Sequence, residues 1–365
     1  MLPQNRFGYL DGIRGLAIAA VICVHWGYQY TPLGGGGYLG VDVFFVLSGF
    51  VITMVLWRSR DTGALPSRWW SFIVRRVRRL YPALVGLAVL GPLLWAVTPG
   101  TPLPLSTVVE RAALVLAQVT WVSEMDGVVM DPFRQTWSLG VEWLFYLIWP
   151  IVLMAAKDRG IRAGGLAWAA AVAALALYLG SALLLDTRVF YFLPPARFGQ
   201  ILVGAALALW FVERPPHVRP RPLGLAVLLV SMAAFAVYVV VGPDPFGNGP
   251  RTVGVPLATT VAVLLIHHGY ATADGPLHRL LGSGPVTGLG RISYSLYLWH
   301  WLPLFLLDKD ELGLPLPVVG LMGLTLVVVM TTLSYRFLEL PFMRSRSDAL
   351  APTRRATGSE TSSVT

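Results

Sequence analysis

The chain has 365 residues, of which 55% are hydrophobic and only 13% charged, and its mean hydropathy is +0.65. A soluble domain is normally near a quarter charged, so this composition excludes a water-soluble fold that covers its core with polar surface. The net charge of +9 comes from 28 basic and 19 acidic residues, the basic ones in short runs between apolar segments, which points to membrane orientation and anionic ligands rather than to nucleic acid.

A single cysteine, Cys23, excludes an intrachain disulfide and a cysteine zinc cluster. Apolar segments recur from residue 10 to residue 338 with no long hydrophilic block between them, so residues 1–342 read as one polytopic membrane domain. The Ser-, Thr- and Arg-rich segment 343–365 reads as a disordered cytoplasmic tail. Lysine occurs only at Lys157 and Lys309, the arginine-rich signature of a GC-rich bacterial genome.

A membrane-spanning helix takes about 20 mostly apolar residues. Ten stretches qualify: 9–29, 38–57, 80–97, 137–156, 164–185, 197–212, 222–241, 251–268, 292–307 and 315–337. The first contains Arg14 and His25 and has no small-residue cleavage site after it, so it is expected to be a retained helix. An eleventh stretch, 105–122, carries Glu110 and Arg111 behind Pro102 and Pro104, and is expected to be a re-entrant or interfacial helix. If it does not cross, Arg6, the run from Arg58 to Arg79, Lys157 to Arg162, Arg214 to Arg221, Arg279, Arg291 and the tail arginines share one side. The expected fold is therefore an all-α integral membrane protein of about ten transmembrane helices, in the bacterial cytoplasmic membrane, with both termini cytoplasmic.

In the first helix Asp11, Arg14, Ile18, Val21 and His25 follow spacings of three and four, which aligns them on one face. Arg14 and His25 then lie about 16 Å apart along the axis. The plain reading has Arg14 snorkelling to the interface and His25 in a helix–helix hydrogen bond. The sharper one has Arg14 holding an anionic group and His25 acting as a base, since ionisable groups inside a membrane are costly.

The second helix begins Gly40-Val41-Asp42 and continues through Ser48-Gly49. Asp42 falls at the same expected depth as His25, where it is either a solvated interfacial carboxylate or the group that orients the imidazole. Ser48 and Gly49 are small enough for helices to approach closely. The cytoplasmic loop ahead of the third helix reads Arg75-Arg76-Val77-Arg78-Arg79-Leu80-Tyr81-Pro82. Four such arginines can serve orientation alone, yet Arg76 and Arg79, one turn apart, are placed to grip phosphates.

Downstream, Trp137-Ser138-Leu139-Gly140-Val141-Glu142 puts Ser138 and Glu142 on one helical face, with Glu142 at the depth of His25 and Asp42. Three ionisable groups at one depth on three helices suggest one shared polar cavity. The run Ser293-Tyr294-Ser295-Leu296-Tyr297-Leu298-Trp299-His300 adds a second intramembrane histidine, which either lines that cavity or is satisfied within an aromatic helix. No histidine has a metal-ligand spacing, so no metal is expected.

Taken in order, these segments resemble the bacterial acyltransferase-3 family of membrane O-acyltransferases. The matching residues are Leu10-Asp11-Gly12-Ile13-Arg14-Gly15-Leu16-Ala17 with His25, the Gly40–Phe50 run, Arg76-x-x-Arg79 before Tyr81-Pro82, Trp137-Ser138-Leu139 with Glu142, and Ser293 to His300. The resemblance implies an acyl group moved from acyl-CoA to a hydroxyl of a surface glycan or of a glycosylated small molecule such as a macrolide. It maps the family's first-helix arginine and histidine to Arg14 and His25, and its arginine pair to Arg76 and Arg79. Some relatives carry a fused extracytoplasmic hydrolase-like domain, which a chain of 365 residues is expected to lack, leaving both acceptor classes open.

The expected mechanism binds the donor phosphates at Arg14, Arg76 and Arg79, with Arg75 and Arg78 alongside. His25 deprotonates the acceptor hydroxyl, or attacks the thioester itself, with Asp42 or Glu142 orienting it. Trp137, Ser138, Tyr294 and His300 line the cavity. The alternative from another class is a transporter or flippase that uses the same cavity, although no inverted repeat or paired midplane break supports it.

Overall fold

The computed structural model describes residues 4–27, 35–98, 103–125, 128–215, 222–243, 245–272, 274–307 and 312–344. Among them every regular element is helical. In chain order these are α1 (Gln4–Ile22), α2 (Gly40–Arg58), α3 (Leu65–Val97), α4 (Leu105–Ala117), α5 (Thr120–Met125), α6 (Trp137–Asp158), α7 (Ala163–Leu184), α8 (Thr187–Phe192), α9 (Pro194–Glu213) and α10 (Pro222–Val241). They continue with α11 (Val255–Ala271), α12 (Pro276–Leu281), α13 (Gly284–Arg291), α14 (Ser293–Trp299), α15 (Pro303–Leu306), α16 (Leu316–Leu333) and α17 (Leu340–Arg344). Single π-helical turns extend α1 over Cys23–Gly27, precede α11 over Pro250–Gly254 and join α16 to α17 over Ser334–Glu339.

Nine of the described helical segments are long and apolar enough to cross a membrane, and the protein is an all-α integral membrane protein. Leu183, Leu184, Val230, Leu321 and Val328 are exposed on these helices, as lipid-facing side chains should be. The expected tail 343–365 lies outside the described residues from 345 onward.

Two expectations need correction. The tenth span, 292–307, is not one helix but α14 and α15 separated at His300–Leu302. Pro303 has no N–H to give the carbonyl four residues back, so α14 ends at Trp299. Side chains satisfy the exposed carbonyls: Gln135 Nε2 donates to Leu298 O at 2.8 Å and Trp26 Nε1 to His300 O at 3.0 Å. Second, the arginine run is not in a loop but in the first half of α3, which at 33 residues is about 50 Å long. Trp69 Nε1 donates to Leu147 O at 3.0 Å and Arg68 pairs with Asp158, tying that half to α6. The 105–122 stretch, expected as a re-entrant or interfacial helix, does not cross: α4 ends where Gln118 takes a positive φ of 60°, and its 13 residues span about 20 Å.

The most buried span is α2, which packs on α1, α6, α9 and α11. Its closest approach is to α9. A Cβ on Gly49 would stand 1.8 Å from Ile201 O, and one on Gly204 would stand 1.9 Å from Val46 O. Both contacts are to rigid helix backbone. Gly204→Ala is therefore expected to push α2 and α9 apart and lower stability by about 1–3 kcal/mol, read as a lower unfolding temperature in detergent.

Candidate active site

Two cavities lie side by side in the bundle. The first spans about 920 Å³, part of it open solvent, and is lined by Arg14 of α1, Ser48 of α2, Arg76 and Arg79 of α3, Ser138, Glu142 and Tyr146 of α6, Arg291 of α13, Tyr294 of α14, and Glu339. The second, about 1110 Å³, is lined by His25, Tyr38, Arg134, Gln135, Trp137, Tyr191, Phe192, Phe246 and Trp301. Val41 and Tyr297 line both, so they form the partition.

The first cavity is cationic. Arg76 is half-buried, its guanidinium 5.1 Å from the Phe72 ring and 5.3 Å from that of Tyr146, while Arg79 is exposed at the rim. Arg14 Nη1 is held by Asp11 at 2.9 Å. Glu142 accepts from Ser48 Oγ at 2.6 Å and from Tyr146 O–H at 2.8 Å, so both its oxygens are fixed. Glu339 accepts from Ser295, which also bonds Ser334 at 3.1 Å. The π turn over Ser334–Glu339 brings this carboxylate to the cavity.

The partition is hydrogen-bonded. Tyr297 O–H lies 2.5 Å from Gln135 O, which can only accept, so the tyrosine oxygen accepts from Ser138 O–H at 2.7 Å. Beyond it, His25 Nδ1 lies 2.9 Å from His300 Nε2, and the Trp301 ring packs edge-on to His25 at 4.4 Å. Behind the cavity residue Arg134, Glu124 of α5 is fully buried and faces Arg134 at 3.3 Å and Arg188 at 3.5 Å. Burial raises the Glu124 carboxyl above its usual range while Arg134 opposes the rise. Asp131 is likewise raised by burial, against the hydrogen bond from Trp301 Nε1 at 2.9 Å.

The acyltransferase-domain model of the acyltransferase-3 family matches residues 7–335. The chain belongs to the acyltransferase-3 family. It is 28% identical over 362 residues to the peptidoglycan O-acetyltransferase of Listeria monocytogenes, covering 92% of this chain and 56% of that protein. It is 28% identical over 361 residues to a candidate peptidoglycan O-acetyltransferase of Bacillus subtilis, covering 91% and 54%. A candidate O-acetyltransferase of Staphylococcus aureus is 27% identical over 367 residues, covering 93% and 58%. The chain thus spans a little over half the length of these curated relatives. No solved structure matches it.

In this acyltransferase-3 chain the expected residues are divided between two cavities rather than sharing one. Arg14, Arg76, Arg79, Ser138, Glu142 and Tyr294 line the first; His25 and Trp137 line the second. Regular α-helical spacing puts Arg14 and His25 on one face, but α1 becomes a π turn from Cys23, and the wider turn re-aims His25. Trp137 and Ser138 part because adjacent helical residues point about 100° apart. The same rotation explains Arg75 and Arg78. Neither lines the arginine cavity; Arg75 borders a separate surface hollow with Asp61 and Lys157, and Arg78 is exposed.

The expected orienters of His25 also require correction. Asp42, 2% exposed, pairs with Arg197 of α9, because one residue beyond the partition residue Val41 the helix turns it toward α9. Glu142 is held by Ser48 and Tyr146 on the other side of the partition. His300 is fully buried behind His25 and lines neither cavity. Sequence reasoning passed over Arg197, although an arginine and an aspartate at membrane depth in one chain are each a reason to seek the other. It also missed Arg134, Arg291, Tyr146 and Glu339, which spacing alone does not bring to a cavity. Among the described residues no group of His, Cys, Asp and Glu could hold a metal ion.

Proposed function

We propose that the protein is a membrane-embedded O-acyltransferase that carries an acyl group from acyl-CoA in the arginine cavity to a hydroxyl of a sugar-containing acceptor in the histidine cavity. The observation that carries this reading is the adjacency of the two cavities across Val41 and Tyr297. Arg14, Arg76, Arg79 and Arg291 supply the charge that a polyphosphate donor needs. Tyr191, Phe192, Phe246, Trp137 and Trp301 offer flat apolar faces that suit a sugar ring, with Arg134 beside them in the lining as a hydrogen-bond donor. His25 takes the hydroxyl proton as the oxygen attacks the thioester carbonyl. The carbon–sulfur bond breaks, and the coenzyme A thiolate leaves and is reprotonated from the imidazolium. The names of the relatives favour a glycan acceptor over a small molecule such as a macrolide.

Purified protein supplied with acetyl-labelled acetyl-CoA and a panel of glycan and macrolide hydroxyl acceptors tests this by mass spectrometry. A product that retains the label is expected. Unmodified acceptor carried across vesicle membranes, with no labelled product, would replace the enzyme with a transporter or flippase.

The donor site makes its own prediction. Arg76→Ala and Arg79→Ala are each expected to raise the dissociation constant of coenzyme A roughly 10- to 150-fold, the loss of one charge-assisted contact of about 1.5–3 kcal/mol. Arg79 is exposed, so its removal should leave stability unchanged. Isothermal titration with unchanged affinity in both variants would return these arginines to orientation alone. Donor entry from the cytoplasm requires the arginine-bearing half of α3 on that side. A Trp70→Cys protein with Cys23 replaced should resist an impermeant thiol reagent in intact cells, and ready labelling there would invert the topology.

A further inference from the structure

We infer that His300 is a positioning residue which fixes His25 in the tautomer protonated at Nδ1, leaving the Nε2 lone pair for the acceptor hydroxyl; this rests on the reading of His25 as the base. The hydrogens follow from the partners. His300 Nδ1 lies 2.8 Å from Tyr297 O, and a carbonyl only accepts, so that nitrogen carries hydrogen. A neutral imidazole has one donor and one acceptor, so His300 Nε2 accepts. The group 2.9 Å away is His25 Nδ1, which must therefore donate. His25 Nε2 is then the bare nitrogen of a ring that lines the histidine cavity. No carboxylate touches either ring among the described residues, so nothing there stabilises an imidazolium before the reaction.

The chain of donors is held from its far end. His300 is fully buried, its backbone N–H donates to Leu296 O at 3.1 Å, and its backbone carbonyl accepts from Trp26 Nε1 at 3.0 Å. The break between α14 and α15 that Pro303 imposes is what frees that carbonyl for Trp26, the residue next to His25. The two imidazole planes are within 28° of parallel with centroids 4.9 Å apart, as suits an in-plane hydrogen bond between ring nitrogens, and the Trp301 ring stands nearly perpendicular to His25 at 4.4 Å. Without the acceptor on His300, the Nε2-protonated form of His25 becomes accessible, and that form presents a hydrogen where the base needs a lone pair.

The test is the nitrogen-15 spectrum of histidine-labelled full-length protein in lipid nanodiscs. The sequence has six histidines, and His25→Gln and His300→Gln assign the two signals by their loss. Both residues are expected to show protonated Nδ1 and bare Nε2. His300→Phe should mix the His25 tautomers and lower kcat for acetyl-CoA consumption about 10- to 100-fold with the donor KM unchanged. His300→Gln, whose amide oxygen can stand where Nε2 was, should restore most of the rate. An Nε2-protonated His25 in the wild-type protein overturns the inference even if His300→Phe fails to fold, and so does a His300→Phe protein with full kcat. The base reading fails separately, if His25→Gln transfers acyl groups normally while the wild-type spectrum is as expected.

Discussion

His25→Gln is expected to fold, to bind coenzyme A with unchanged affinity and to lose acyl transfer by about 10²–10⁴-fold, the usual contribution of a positioned general base. Glutamine keeps a hydrogen-bonding group of similar reach but takes no proton. Donor affinity should survive because the arginines lie in the other cavity, and Arg14 is about 16 Å along α1 from His25. The sign of the pH dependence follows from the same role. The base must be neutral to accept a proton, so the wild-type rate should rise with pH through the His25 pKa and level off above it, and the variant should lose that step. A variant that binds donor and transfers at near the wild-type rate would make His25 a packing residue beneath Trp301.

Asp42→Ala is expected to destabilise the protein by about 3–5 kcal/mol, because it leaves the guanidinium of Arg197 buried without its carboxylate. Arg197 is 1% exposed and donates to Asp42, to Gln200 Oε1 at 3.3 Å and to Tyr191 O at 3.0 Å. It also lies 4.9 Å from the ring of Tyr191 and 5.6 Å from that of Trp137, two walls of the histidine cavity. Replacing both partners, Asp42→Leu with Arg197→Met, should cost far less, since an apolar pair leaves no orphaned charge. Thermal unfolding in detergent distinguishes the outcomes. A stable but inactive Asp42→Ala protein would instead restore the aspartate to the role of orienting His25. The loss in Asp42→Ala should therefore appear in folding yield before it appears in kcat.

The spans of this protein were legible in its sequence because a bilayer imposes a one-dimensional rule, about 20 apolar residues per crossing, and long helices such as α2, α6, α7 and α11 obey it. The pair Arg76 and Arg79 was legible for a similar reason, since a three-residue spacing fixes a shared helical face whatever packs against it. Arg14 and His25 were legible as residues but not as a geometry. Their common face depended on α1 remaining α-helical, and the π turn at Cys23 redirects the second of them. Which charge meets which was decided only in three dimensions. Asp42 met Arg197 from 155 positions away, Glu142 met Ser48 from 94, and His25 met His300 from 275. Depth was not conveyed reliably either: Glu142, expected level with His25, bonds Ser48 and lines the cavity of Arg14, about 16 Å along the first helix from His25. The rotation of each helix about its axis and its offset along it, which only packing sets, select the partner, and here they turned one expected cavity into two that meet at Val41 and Tyr297.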